Sequence, residues 1–347
     1  MFPFWKKTKG FFIEINGQAT LIARTSAGGA PMVIEELREL PAGDNEAVQA
    51  AVKELIGKKG GNYMRAACGI YPPHQLIRRQ ALDLKRVRES GYLAEICSQQ
   101  FHVEVDKHTI AVLNATDGSD FDASKPAAQK EVTFVGCPDE ELLEAQNQML
   151  ALGVFPVRME LGTFATLGAL VDYHVFAQLK APTLMLEIDA GSTQAFVVGA
   201  GGLDVARAIP HGLDAMIPVV QKELNLQDEE SARKLFLSNT FDFTNIGGLL
   251  IRKLLKELQS LIGFYEVQTG QSIGQVLCTH LPAKLGWLAN AVGKEMAVEV
   301  LKLDLAEWLK SRHVTLTGAA AAAEFDARWL GLVSLMVFYD ALADSKK

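Results

Sequence analysis

Apolar and polar residues alternate over residues 11–24, FFIEINGQATLIAR, and Asn16-Gly17 breaks the alternation. This predicts two strands and a tight hairpin, because Asn-Gly tolerates the positive φ that both turn positions require. Over 44–58 the period changes to that of a helix: Asp44 or Asn45 can cap it, and Val48, Val52, Leu55 and Ile56 share one face. Residues 63–72 read as a strand ended by Pro72-Pro73, 83–101 as a charged surface helix, and 102–115 as strand material. The polar stretch 116–130 reads as a mobile loop. A strand at 131–138, a helix at 139–153 with an acidic first turn and a glycine stop, a strand at 154–161 and a helix through Leu170 follow.

The pattern then begins again. Residues 183–212 read as three antiparallel strands, followed by helices near 213–224, 228–237 and 246–269. The last carries a one-sided stripe of Leu250, Leu254, Leu258, Leu261 and Phe264/Tyr265. A strand at 273–280, a helix ending at Gly293, a strand in MAVEVLKL and a helix from Trp329 to Leu342 complete the chain. The two openings, EIN-GQAT and EIDAGSTQ, match with one gap, which fits two related α/β halves. The match is short, and taken alone chance explains it about as well.

Composition narrows the chemistry. The 347 residues carry a formal charge of −7, the opposite of a global nucleic-acid binder. Cys68, Cys97, Cys137 and Cys278 form no C-x-x-C pair, so they read as buried thiols in a reduced compartment. No apolar run is long enough to cross a bilayer. The start, MFPFWKKTKGFF, lacks a signal-peptide core but joins Phe2, Phe4 and Trp5 to Lys6, Lys7 and Lys9. Rings beside lysines suit a membrane surface; a frayed terminus with one packed aromatic is the alternative.

The stretch LMLEIDAGSTQAFVV, residues 184–198, has the form of a nucleotide-binding hairpin. Together with MFPFWKKTKGFFIEINGQATLIAR, EVTFVGCPDEELLEAQNQMLALGVFPVRMELGTFATLGAL, LEIDAGSTQAFVVGAGGLDVARAIPHGLDAM and LLKELQSLIGFYEVQTGQSIGQVLCTH, it makes a collinear series. The series resembles, from end to end, the PilM family of type IV pilus assembly proteins, relatives of the cell-division protein FtsA. The resemblance implies an actin-like (duplicated ribonuclease-H-like) two-subdomain α/β fold. Its halves would be residues 1–180 and 181–347, with a small α+β insertion at about 75–135 and a helical part at about 213–270. It also implies a nucleotide between the halves and a groove near the first insertion. That groove would take the cytoplasmic tail of a PilN-like single-span protein at the inner face of the cytoplasmic membrane.

By that resemblance Asp189 would orient magnesium through water, Gly191 would let the backbone approach phosphate, and Ser192 and Thr193 would supply donors. The first hairpin departs from the family pattern. Glu14 stands for its aspartate and Asn16 for its glycine, unless a shifted alignment sets Asn16 opposite Asp189. After the strand at 273–279 the family has glycines, whereas this chain has His280, Leu281 and Pro282, which add bulk and remove a donor. Glu257 matches an acidic family position, but Gln259-Ser260 replace a basic pair; Glu160 could orient water, or simply sit at a helix start. The expectation is therefore a scaffold with a degenerate nucleotide site, no confident catalytic or metal residue and no bound cofactor. An active ATPase using ATP and magnesium is the alternative. A sugar or acetate kinase lacks its acidic base and glycine loop, and an FtsA-like role lacks a linker before a membrane-tethering tail.

Overall fold

The computed structural model describes residues 9–57, 61–115, 118–124, 130–238, 240–322 and 325–337. The part of the expected final apolar helix beyond Val337, residues 116–117 and 125–129 of the expected loop, and the aromatic start at residues 2–8 lie outside them. Among the described residues the strands are β1 (Gly10–Ile15), β2 (Ala19–Thr25), β3 (Met32–Pro41), β4 (Met64–Ile70), β5 (Leu76–Ala81), β6 (His108–Asn114), β7 (Glu131–Pro138), β8 (Val154–Leu161), β9 (Thr183–Ile188), β10 (Thr193–Gly199), β11 (Gly202–Ile209), β12 (Gln275–Thr279), β13 (Glu299–Val300) and β14 (Val314–Leu316). They fall into two compact units. The chain enters the second at Val171 and returns to the first at Ala306 and again at Gly331, so its closing segments do not stay with the second half.

The first unit has a six-stranded sheet in the order β14-β3-β2-β1-β4-β8. β1, β2 and β3 form an antiparallel meander, while β4 lies parallel to β1 and β8 parallel to β4. Val48, Val52 and Leu55 of the helix Asn45–Ile56, and Met149 of the helix Asp139–Ala151, pack on Ile13, Ile22, Met64 and Cys68. The Asp44 carboxylate caps the first of these helices by accepting from the Ala47 N–H at 3.0 Å. A separate antiparallel sheet, β5-β7-β6, packs Leu76, Val132 and Phe134 against Tyr92 and Ile96 of the helix Tyr92–Gln99.

The second unit repeats the scheme in the order β11-β10-β9-β12-β13. β9, β10 and β11 form an antiparallel meander, and β12 runs parallel to β9. Leu254, Leu258, Leu261 and Tyr265 of the helix Arg252–Thr269 join Leu184, Leu186 and Val276 in its core. The predicted apolar stripe is thus the buried face of that helix.

Several expected elements change. The Asn16-Gly17 hairpin exists, yet neither residue has positive φ. Instead the Asn16 side-chain oxygen accepts from the Gln18 and Ala19 N–H groups, both at 2.9 Å, and holds a wider turn. The helix expected over 83–101 forms only at Tyr92–Gln99, because Gly91 sits at φ 87°. Its charged start serves as a brace: Arg86 pairs with Glu95 at 2.7 Å and lies over the Tyr92 ring. The helix expected to stop at Gly293 runs to Met296, and the strand in MAVEVLKL shrinks to Glu299–Val300. β3, β5, β14 and the helix Leu305–Ser311 had no sequence signal strong enough to predict them.

A methyl group at Gly136, in the central strand β7, would collide with the Thr109 carbonyl and the Ile110 backbone. Gly136→Ala is therefore expected to destabilise the chain by about 1–3 kcal/mol in chemical denaturation. Gly263→Ala, on the helix Arg252–Thr269 with open space around it, is expected to be neutral or to stabilise by up to about 1 kcal/mol.

Candidate functional site

Each unit ends its first central strand in a loop, at the strand end where ligands gather in α/β sheets. In the second unit this loop carries Asp189, Gly191 and Ser192, and Thr193 opens β10. The Asp189 N–H donates to the Ser192 carbonyl at 2.9 Å and closes the turn. The Leu213 and Asp214 N–H groups donate to the Asp189 and Ala190 carbonyls, both at 2.8 Å, and tie the loop to the chain after β11. Gly212 permits that approach, since a Cβ there would run into the Asp189 and Ala190 carbonyls.

Asp189 reaches solvent, while partial desolvation by the strand ends raises its carboxyl above the usual range. Gly191 is exposed, with nothing near the position of a Cβ. Thr193 is buried, and its hydroxyl donates to the His211 carbonyl at 2.7 Å. Its hydroxyl therefore serves the sheet. Asp189, Gly191 and Ser192 form the accessible part of the loop.

The segment His280–Pro282 lies at the same end of the sheet, because Thr279 pairs in register with Glu187 and β12 is parallel to β9. His280 has φ 63°, a conformation natural to glycine and costly for other residues. Its ring is buried, with Nδ1 3.9 Å from Oε1 of the buried Glu187, and desolvation pushes its pKa down to about 3. Leu281 turns into the core of the unit instead of standing in the loop as added bulk. Pro282 follows with φ −56° and opens a short turn whose Leu285 N–H donates to the Pro282 carbonyl. A buried imidazole and a packed leucine thus make up this turn. Glu257 pairs with Arg207 at 2.8 Å, joining the long helix to β11.

The first unit resolves the two alignments of its hairpin. Asn16 is the first residue after β1, as Asp189 is after β9, and its N–H closes the turn on the Ala19 carbonyl at 3.1 Å. Asn16 is therefore the counterpart of Asp189, and Glu14 is not a loop carboxylate. Glu14 is fully buried: its Oε1 accepts from Asn16 Nδ2 at 2.9 Å and from the Tyr71 hydroxyl at 3.1 Å. Gly331 makes room for it, since a Cβ there would meet Glu14 Oε2 and the Tyr71 hydroxyl. Burial raises the Glu14 pKa to about 7 against the two hydrogen bonds, which lower it. Glu160 lies in β8, paired with Arg158 at 2.9 Å, and burial raises its pKa as well.

Tyr71, Gly331, Gly212 and Glu187 carried no individual signal in the sequence. Glu187 alone had an indirect one, because the EIN/EID match sets it opposite Glu14. Among the described residues no cluster of potential ligands could hold a metal ion, and all four cysteines are buried and unbridged. Beside the first hairpin a cavity of about 260 Å³ is lined by Ile15, Gly17, Tyr71, Pro73, Glu144 and Met149, among others.

The Glu14 carboxyl gives the fold a pH dependence. Its folded pKa is raised, so the stabilisation is complete below about pH 4.5 and is lost as the pH rises to about 7. His280 acts oppositely: its folded pKa is depressed, so stability falls as the pH drops below 6.5 toward about 3. The two slopes overlap, and the difference between wild type and Glu14→Gln isolates the first. That variant is expected to gain stability relative to wild type as the pH rises from about 4.5 to about 7, by on the order of 3 kcal/mol at most, in urea titrations across that range.

No protein-family model matches the chain, and no curated protein matches it. Solved structures do. The PilM-PilN type IV pilus biogenesis complex contains a chain 15% identical, matched over 95% of this chain and 98% of that one with a TM-score of 0.66. The ethanolamine utilization protein EutJ from Carboxydothermus hydrogenoformans is 12% identical over 95% and 90%, with a TM-score of 0.44. The cytoplasmic domain of EpsL, an inner membrane component of the type II secretion system of Vibrio cholerae, is 9% identical over 92% and 98%, with a TM-score of 0.39. The chain has the expected actin-like α/β fold, in the form that the first of these structures shares along nearly its whole length.

Proposed function

We propose that this chain is an assembly scaffold of a type IV pilus machine, working at the cytoplasmic face of the inner membrane with its nucleotide binding weakened or lost. One observation carries the reading: on a fold shared end to end with a chain of the PilM-PilN complex, the turn after β12 is filled by buried His280 and core Leu281. At that turn Pro282 offers no N–H to a nucleoside, and His280 stands in a backbone conformation natural to glycine. The function left to such a fold is to hold a partner.

The partner that fits is the cytoplasmic tail of a PilN-like single-span membrane protein. The cavity between the first hairpin, Tyr71–Pro73 and the helix Asp139–Ala151 offers an apolar floor of Ile15, Ile70 and Met149 under a polar rim. An extended peptide with apolar side chains suits such a groove. Among the described residues no helix is long and apolar enough to cross a membrane, so the scaffold would reach the membrane through its partner or its surface.

A second reading, an active ATPase, is favoured by the open Asp189–Ser192 loop. Calorimetry separates the two. Tail peptide is expected to release heat at micromolar concentration, while Mg-ATP gives neither heat nor thermal shift at millimolar concentration. Absence of peptide binding at high micromolar concentration would sink the scaffold reading, and saturable ATP binding would restore the ATPase. His280→Gly, which removes both the ring and the positive-φ penalty, is expected to increase any residual nucleotide affinity and leave peptide affinity unchanged.

A further inference from the structure

We propose that the sheet end at which β1, β4 and β8 begin is a contact surface for anionic lipid. The three strands are parallel neighbours, so their starts lie together. Here Tyr63, Phe155 and Val157 are 48%, 42% and 44% exposed. Arg65 is exposed, pairs in register with Phe155, and sets its guanidinium 5.0 Å from that ring. Farther along β4 on the same face, Gly69 meets Leu335 and the sheet is covered. The patch is therefore an exposed margin of a face that is core elsewhere.

Charge selects the occupant. In a chain of net charge −7, residues 61–82 and 145–159 contain no aspartate or glutamate, and these segments lead into or form the starts of β4 and β8; at the start of β1 Lys9 is paired with Glu35. Aromatic rings with an arginine and no acidic neighbour in sequence suit the headgroup region of a bilayer bearing negative lipid. Strand addition by a peptide is disfavoured at this edge. Pro156 has no N–H to offer, and the β4–β8 register shifts between Ala66 and Ala67.

The inference rests on the scaffold reading, which places the chain beside a membrane, and its test separates the two. The full chain is sedimented with phosphatidylcholine vesicles, with or without phosphatidylglycerol. Binding is expected only with phosphatidylglycerol, and it should weaken with salt. Arg65→Gln should weaken partition about five-fold, the effect of one basic side chain near such a surface. Arg65→Lys should retain most of the binding, and Phe155→Ser should weaken it further, with thermal melts unchanged for all three. Deleting residues 1–8 should leave binding that still depends on Arg65. No binding to phosphatidylglycerol vesicles, or binding indifferent to Arg65 and Phe155, overturns the proposal. A dimer in solution that Phe155→Ser dissociates would assign the patch to a second copy and overturn it too. Tail binding without vesicle binding rejects the lipid surface and leaves the scaffold standing; vesicle binding without tail binding does the reverse.

Discussion

Each of the two larger sheets buries a glutamate at the penultimate position of its first central strand, and the surrounding structure is arranged to accommodate it. Glu14 in β1 and Glu187 in β9 are both nearly inaccessible to water. A buried carboxylate is costly unless it is hydrogen-bonded or kept protonated. In the first unit both remedies operate. Asn16 and Tyr71 donate to it, Gly331 leaves it room, and its pKa rises to about 7. In the second unit the residue just beyond the neighbouring parallel strand is again an aromatic ring, His280 in the place of Tyr71.

This parallel between the units explains why the two loops differ in openness. Asn16 is drawn inward, one end of its side chain on Glu14 and the other on the turn backbone. It cannot also present a polar group to a ligand. The Asp189 loop is tied down through its main chain, by Gly212 and the two N–H donors after it, which leaves the carboxylate in contact with solvent. Residues 189–193 thus have a structural use: the Thr193 hydroxyl donates to the His211 carbonyl.

The turn after β12 is built into the core of its unit. Its backbone keeps a positive φ at residue 280, where glycine would be strain-free. The histidine there has its imidazole kept neutral by burial, and Leu281 adds to the apolar cluster. Strain at such a position persists only when the surrounding packing holds it, and here the packing of Leu281 and Leu285 does so.

The actin-like fold was legible only through the collinear family resemblance, while periodicity by itself determined the meander openings, the long helix Arg252–Thr269 with its buried stripe, and much of the alternation of strand and helix. These depend on short-range periodicity, which the chain displays residue by residue. The sequence also showed that residues 280–282 lack the glycines an open turn would use. Tertiary structure alone decided which face of each loop residue matters. The EIN motif read as a loop carboxylate or a strand glutamate, and only the strand pairing of Glu14 together with its burial placed it in the core. β14 was invisible because its partner, Met32–Ile34, is distant in sequence, and β3 because most of it is only half-buried and shows no sustained apolar alternation. The same holds for Leu281: hydrophobicity could not say whether its side chain blocks a ligand or fills a core, since that depends on the helices packed behind β12.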